Sequence, residues 1–293
     1  MEGTIIKGYS GFYYVLAVDG NLYECSLRGK NRQKKVKFLP GDKVKITTVD
    51  EKTGAIEEVL PRKTELLRPS IANVEQLVIL AAVADPAPDL QLIDRLTVFA
   101  KWNNILPVIC FNKTDLTTAE ELTRLKDIYE PTGFPLYFCS TVTGEGVEEL
   151  KAQLRGKISA LAGNSGVGKS SMLNALNEGA WEQATGKVSD KLKRGKHTTR
   201  HVELFDFGNQ TLIADTPGFS VMQLPEDIKR EELCWLFPEF VPYLGECRFA
   251  TCLHKSEPQC KIKEQLEEEK LAKSRYEHYL LFLEEVIAQE RSY

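Results

Sequence analysis

From Thr4 to Leu27 apolar and polar residues alternate, TIIKGYSGFYYVLAVDGNLYECSL, with breaks at YSG and at the hairpin signal Asp19-Gly20-Asn21. PGDKV at 40–44 is another turn and leads into KVKITTV, after which EKTGAIEEVL adds a turn and a last strand. A period of two predicts five short strands here, enough for a small barrel of the oligonucleotide-binding (OB) type. The pattern alone fits an SH3-like barrel nearly as well. From residue 68 the character changes. Near-continuous apolar runs (QLVILAAVA, LPVICF, PLYFCS, ISALAG, TLIAD) alternate with helical patterns such as LQLIDRLTVFAKWN and AEELTRLKDIYEPTG. That alternation predicts a mostly parallel sheet with helices on both faces. Beyond residue 222 the pattern is helical and irregular, and Tyr276, Leu280, Leu283 and Ile287 predict one apolar stripe on a long terminal helix. The expected domains are thus 1–67, 68–222 and 223–293.

The chain has 293 residues, 42% apolar and 27% charged, the mix of a soluble globular protein. The longest apolar run, LVILAAVA, is of strand length and far below the ~18 residues of a membrane helix. The N-terminus lacks the basic-then-apolar layout of a secretory signal, so a cytoplasmic protein without membrane contact is expected. A net charge of −4 hides two basic runs. RGKNRQKKVK (28–37) has six basic residues and no acidic one, and KVSDKLKRGKHTTR (187–200) has six against one aspartate. Residues 1–67 carry twelve Lys and Arg against nine Asp and Glu. Such runs are commonly solvated loops; two in a mildly acidic chain point toward a polyanionic partner.

GNSGVGKS (163–170) matches the phosphate-loop pattern G-x-x-x-x-G-K-[ST], between the strand ISALA and a helix start. In that context the backbone amides of Gly163, Asn164, Ser165, Gly166, Val167 and Gly168 converge on phosphate oxygens at a helix N-terminus. Ser171, next along the helix, is counted in the same nucleotide-binding set. Lys169 reaches the β- and γ-phosphates, and the Ser170 hydroxyl binds Mg²⁺. DTPG (215–218) follows the strand TLIA and supplies Asp215 for Mg²⁺ and the Gly218 amide for the γ-phosphate.

NKTD (112–115) follows the strand LPVICF. Asp115 can accept hydrogen bonds from the ring N–H and exocyclic amine of guanine, where adenine offers a ring lone pair instead. Asn112 would tie the base to the phosphate loop, and the Lys113 stem would cover the ring. Cys139, Ser140 and Thr141, after the strand PLYF, form a loop whose backbone amide could meet the guanine carbonyl. The base motif therefore precedes the phosphate loop along the chain. In open α/β sheets ligands bind at the carboxyl ends of strands whatever their order, so this is the usual succession rotated: a circularly permuted GTPase domain. Asp115 disfavours an ATPase.

Seven cysteines divide into two groups. Cys25, Cys110, Cys139 and Cys234 read as small buried hydrophobes in a reducing compartment. Cys247, Cys252 and Cys260 cluster with His254 in CRFATCLHKSEPQC, a complete tetrahedral Zn²⁺ shell with no open position, hence a structural site.

The permuted order, with FNKTD, GNSGVGKSS, HTTR and DTPGFS between a β-barrel and a Cys/His cluster, resembles the ribosome small-subunit-dependent GTPase A (RsgA, YjeQ or YloQ) family over essentially the whole chain. The resemblance implies a GTPase of late small-subunit maturation, stimulated by that subunit, with the barrel and zinc domain contacting it and its RNA. A monomer without DNA binding is expected. The position after DTPG, often glutamine in GTPases, is Phe219, so another group must orient the attacking water. His197 is a candidate, against a surface histidine that contacts phosphate or RNA. Thr198 or Thr199 would give Mg²⁺ its second protein oxygen and complete the catalytic set with Lys169. Two other readings are an RNA-binding protein using GTP as a conformational ligand and a permuted GTPase of another ribosome-assembly pathway.

Overall fold

The computed structural model describes residues 1–9, 11–27, 37–67, 69–177, 202–215 and 223–291. Most of the first basic run (28–36) and all of the second (187–200) lie outside them.

The N-terminal alternation becomes five strands: β1 (Glu2–Tyr9), β2 (Phe12–Ala17), β3 (Leu22–Leu27), β4 (Lys43–Thr48) and β5 (Thr53–Val59). They close into a barrel in the order β1-β2-β3-β5-β4, with β4 returning to pair antiparallel with β1. The β3–β5 pair is parallel, which a simple meander cannot produce, so the Greek-key OB order is the one formed. Inward positions at period two, Ile5, Val15, Tyr23, Val44, Ile46 and Ile56 among them, fill the interior. The β2–β3 hairpin turns at Gly20 (φ 82°), with the Asn21 amide donating to Asp19 Oδ1 at 3.0 Å. A short pair, β6 (Glu65–Leu67) and β7 (Ser70–Ala72), follows the barrel.

The central sheet has six strands in the order β10-β9-β8-β11-β13-β12. These are β8 (Gln76–Ala82), β9 (Leu106–Asn112), β10 (Leu136–Phe138), β11 (Ile158–Ala162), β12 (Leu204–Asp206) and β13 (Leu212–Asp215). β10 runs parallel to β9 and β13 parallel to β11; β12 is antiparallel to β13 at the edge. Every residue of β8 and β11 is buried, as continuous apolar runs require when both faces are covered. The helices are α1 (Leu90–Trp102), α2 (Ala119–Tyr129), α3 (Val147–Leu154), α4 (Lys169–Leu176), α5 (Lys261–Glu267) and α6 (Lys273–Glu290). Asp89 caps α1 by accepting the Leu92 amide at 2.9 Å. Thr118 caps α2 at the Glu121 amide, three residues on, in a Thr-x-x-Glu start. No helix among the described residues is long and apolar enough to cross a membrane.

By internal contacts the chain forms two compact units. The first comprises Met1–Leu77, Val147–Ala162 and Ser170–Gly218. Within it Gln76 donates to Ser159 Oγ at 2.9 Å, and Lys7 of β1 pairs with Glu203, just before β12, at 2.8 Å. The second comprises Val78–Gly146, Gly163–Lys169 and Phe219–Tyr293. A core within it joins Val98 of α1 to Phe237, Phe240, Tyr279, Phe282 and Val286.

The terminal run departs from the expected single stripe. It breaks into α5 and α6, and α6 buries Arg275, Tyr276, Tyr279, Phe282, Leu283 and Val286, leaving Leu280 and Ile287 only half-buried. The buried face is rotated toward the aromatics because Phe237 and Phe240 pack edge and face against Tyr279. Cys25, Cys110, Cys139 and Cys234 are all buried, as expected of small apolar fillers.

Candidate nucleotide site and cysteine cluster

β11 delivers the chain into residues 163–168, and α4 starts at Lys169, the strand–loop–helix order a phosphate cradle needs. Two glycines are required by close approach. A Cβ at Gly163 (φ 146°) would lie 2.1 Å from the Leu80 carbonyl oxygen, and one at Gly168 (φ 95°) 2.3 Å from Asn112 Nδ2. The Lys169 ammonium curls back over the loop and donates to the carbonyls of Gly163 at 2.9 Å and Asn164 at 2.8 Å. Ser165, Gly166, Ser170 and Ser171 are exposed, and Val167 is buried.

The base motif ends β9. Asn112 is fully buried and its Nδ2 donates to the Val167 carbonyl at 3.0 Å, so NKTD and the phosphate loop, 55 residues apart, share a hydrogen bond. Its Oδ1 is buried without a hydrogen-bond partner among the described residues, as is Thr114 Oγ1. An orphaned acceptor beside the phosphate loop fits a site that a polar ligand completes. Lys113 takes a left-handed conformation (φ 66°), and its amine donates to the Asp85 carbonyl.

The loop after β10 is knit to this motif. The Cys139 amide donates to the Phe111 carbonyl at 2.7 Å, and the Thr114 amide to the Cys139 carbonyl at 3.1 Å. The buried Ser140 hydroxyl donates to Asp115 Oδ1 at 2.5 Å while accepting the amides of Val142 and Thr143 at 3.2 and 3.1 Å. Asp115 is exposed, with one carboxylate oxygen thus held in place. Sequence reasoning treated residues 139–141 as a source of a backbone amide and missed this side-chain contact. The signal was available, since a serine directly after a buried strand readily forms such turns. Thr141 is half-buried beside it.

Asp215 ends β13 in register with Leu161 of β11, two residues before Gly163. Gly218, His197, Thr198 and Thr199 lie outside the described residues.

In the C-terminal module the ligand atoms of Cys247, Cys252, His254 and Cys260 all lie within 4.8 Å of one another. His254 Nδ1 is 3.6 Å from Cys247 Sγ and 3.4 Å from Cys260 Sγ, and the two sulfurs are 4.0 Å apart. A tetrahedral zinc with ordinary bond lengths spaces sulfur pairs by about 3.8 Å, so the set fits that ion. Burial pushes the Cys252 thiol up to about 12, raises Cys260 and lowers His254, so it disfavours the charged forms of these three groups until a cation compensates thiolate charge. α6 holds the knuckle in place: Tyr276 and Tyr279 donate to the carbonyls of His254 and Leu253 at 2.7 and 2.8 Å.

A GNSGVGKS loop after β11 and an NKTD motif after the earlier strand β9, in one sheet whose strands follow a closed barrel along the chain, define a circularly permuted GTPase fold. Residues 59–225 match the RsgA GTPase family model and residues 2–56 the RsgA N-terminal domain model. A Moorella thermoacetica protein described as small ribosomal subunit biogenesis GTPase RsgA is 47% identical over the full length of both chains. One of the same description from Carboxydothermus hydrogenoformans is also 47% identical over both full lengths. Among solved structures, YjeQ from Thermotoga maritima matches with a TM-score of 0.80 at 35% identity, covering 98% of each chain. YloQ, described as a circularly permuted GTPase, matches at 0.81 and 33%, covering 98% of this chain and 95% of that one. The chain belongs to the RsgA GTPase family; it is a GTP hydrolase, and its nucleotide ligands are guanine nucleotides with Mg²⁺.

Proposed function

We propose that this GTPase acts in the late maturation of the small ribosomal subunit, binding its ribosomal RNA and hydrolysing GTP faster when docked on it, in the cytoplasm and as a monomer. Its named relatives carry the ribosomal part of the reading. The barrel, residues 1–67, and the cysteine module, 223–293, flank the GTPase domain, 68–222, as the two subunit-binding parts; the net positive barrel supports this. The observation that carries the nucleotide reading is the Asn112–Val167 hydrogen bond, which ties residues 112–115 to the loop at 163–168 and so supports reading them as one site.

In this reading Asp115, oriented by Ser140, accepts the guanine N–H groups. Asn112 braces the base end, the Lys113 stem covers the ring, and residues 139–141 close the edge. Lys169 exchanges its two loop carbonyls for phosphate oxygens, a move that costs little because the ammonium is already at the cradle. The amides of residues 163–168, with Ser171 beside them, hold the phosphates. Ser170, Asp215 and one of Thr198 and Thr199 hold Mg²⁺, which neutralises charge developing on the phosphate oxygens. Gly218 senses the γ-phosphate. Phe219 cannot hydrogen-bond to water, so the unassisted rate is low, and His197 is the group proposed to orient the water once RNA orders its basic loop. Cys247, Cys252, Cys260 and His254 hold one structural zinc.

GTP turnover measured alone, with purified small subunits and with large subunits tests the function. Stimulation by small subunits alone is expected; equal rates in all three, or stimulation by large subunits, would remove the assembly reading. An His197→Ala variant retaining full stimulated turnover would remove the histidine.

A further inference from the structure

The C-terminal module grips helix α1 through a buried charge cluster. Asp94 and Arg275 are both fully buried. Arg275 donates through Nη1 to Asp94 Oδ1 at 2.8 Å, and through Nε and Nη2 to the Glu239 carboxylate at 2.7 and 3.1 Å. Asp94 also accepts the Tyr129 hydroxyl at 2.9 Å and faces His278 Nδ1 at 2.6 Å. One residue on, Arg95 pairs with Glu285 of α6 at 2.8 Å and stacks on Phe282, while Val98 enters the module's apolar core.

For stability alone this is a poor choice. Taking two carboxylates and a guanidinium out of water costs so much that apolar residues of the same volume are often as stable or more so. What a forked guanidinium adds over an apolar contact is one fixed geometry. The cluster therefore specifies where α1 sits.

The other end of α1 shows why its position matters. Asp94 lies five residues, about 7.5 Å, from the helix cap Asp89. Asp89 Oδ1 caps the helix, and Oδ2 faces Asn164 Nδ2 of the phosphate loop at 3.4 Å. In the four residues before the cap, the Asp85 carbonyl takes the Lys113 amine, and Pro86 is the nearest group to the open side of Gly166. Between this segment and the phosphate loop remains a cavity of about 20 Å³, room for one water. A helix is stiff over so short a length, so a displacement at Asp94 moves the cap Asp89 and its Asn164 contact directly, and pulls on the adjoining residues 85–88 that carry the Lys113 contact.

We propose that Arg275 and Glu285 are positioning residues for guanine nucleotide: through Asp94 and Arg95 they fix α1 so that residues 85–89 hold Lys113 and Asn164 in binding geometry, and nucleotide occupancy in turn stabilises the cysteine module. This rests on the reading of residues 112–115 and 163–170 as the nucleotide site. Because coupling between sites is reciprocal, it is read from both ends.

The experiment uses the full-length protein with its metal, fluorescent GDP titrations, and hydrogen exchange of α6 with and without GDP. The variants are Arg275→Met, Arg275→Lys, which keeps the charge but loses the fork, and Glu285→Gln, partly exposed and safe for folding. Affinity for GDP is expected to fall by at least about fivefold in each, the lower end of ordinary coupling between linked sites. GDP should slow exchange in wild-type α6 and do so less in the variants. A cluster that merely held the fold would lower melting temperatures without moving GDP affinity or making α6 respond to GDP. Wild type that binds GDP, with folded variants of unchanged affinity, overturns the inference alone. Should the Arg275 variants not fold, Glu285→Gln decides it in the same way. Wild type that binds no guanine nucleotide overturns the nucleotide reading and this inference with it.

Discussion

Ser140 concentrates three demands on one hydroxyl: it donates to Asp115 and accepts two backbone amides, all in a fully buried position. Removing it passes the amides of the exposed residues Val142 and Thr143 to solvent and lets the Asp115 carboxylate rotate. A hydrogen bond to a charged group contributes about 1.5–3 kcal/mol. Only the part tied to Asp115 orientation appears in nucleotide binding, so Ser140→Ala should weaken GDP by about tenfold, roughly 1.4 kcal/mol. Isothermal titration on folded protein checks this, and unchanged affinity would mean that Asp115 orients itself. At this scale the sequence was informative where chemistry is fixed by residue type and spacing. GNSGVGKS and NKTD announce their chemistry, and the four cluster ligands announce theirs. It was silent on Asp94, Arg275 and Glu239, because a buried charge shows only in its partner, here up to 181 residues away.

Elements were legible to the extent that one face decides them. The period of two in the barrel and the all-apolar runs of the central sheet left little choice of strand. In α6 the same reasoning selected Leu280 and Ile287 with Tyr276 and Leu283, and the structure turns the helix so that Tyr279, Phe282 and Val286 carry the contact. Two stripes compete on that helix, one aliphatic and one aromatic. The aromatic partners Phe237 and Phe240, far upstream, decide between them by burying more area. An arginine on the winning stripe hid it further, since Arg275 reads as polar. The rotated register has a direct consequence. Phe282→Ala should cost about 3–5 kcal/mol by leaving a hole in a full core. Leu281→Ala, one residue away and 52% exposed, should stay within about 0.5 kcal/mol of wild type. Urea unfolding of the two variants separates the buried face from the exposed one, and equal losses would show that Phe282 does not carry the contact.

Over the whole molecule, stability is distributed unevenly between modules built by different means. The barrel closes its own edges and fills its interior with Ile5, Val15, Val44, Ile46 and Ile56, so its core comes from its own strands. The C-terminal module is assembled around short 3₁₀ turns and two helices, one of seven residues. Its knuckle, residues 247–260, has no strand or helix of its own. It is tied down by two tyrosine hydroxyls, by the carboxylate of Glu257 accepting the amides of Leu253, Lys255 and Ser256, and by whatever joins the four ligands. A structural metal would therefore stabilise this part alone, since binding energy becomes folding energy where no preformed site exists without it. Metal analysis should find one zinc per chain. Stripping it with a strong chelator should release hydrogen-exchange protection over residues 247–260 and at the Tyr276 end of α6, while β1–β5 keep theirs. Uniform loss across the chain would show the modules to be one cooperative unit; no loss anywhere, with the zinc gone, would mean that buried thiols and the Glu257 turn suffice to hold the knuckle.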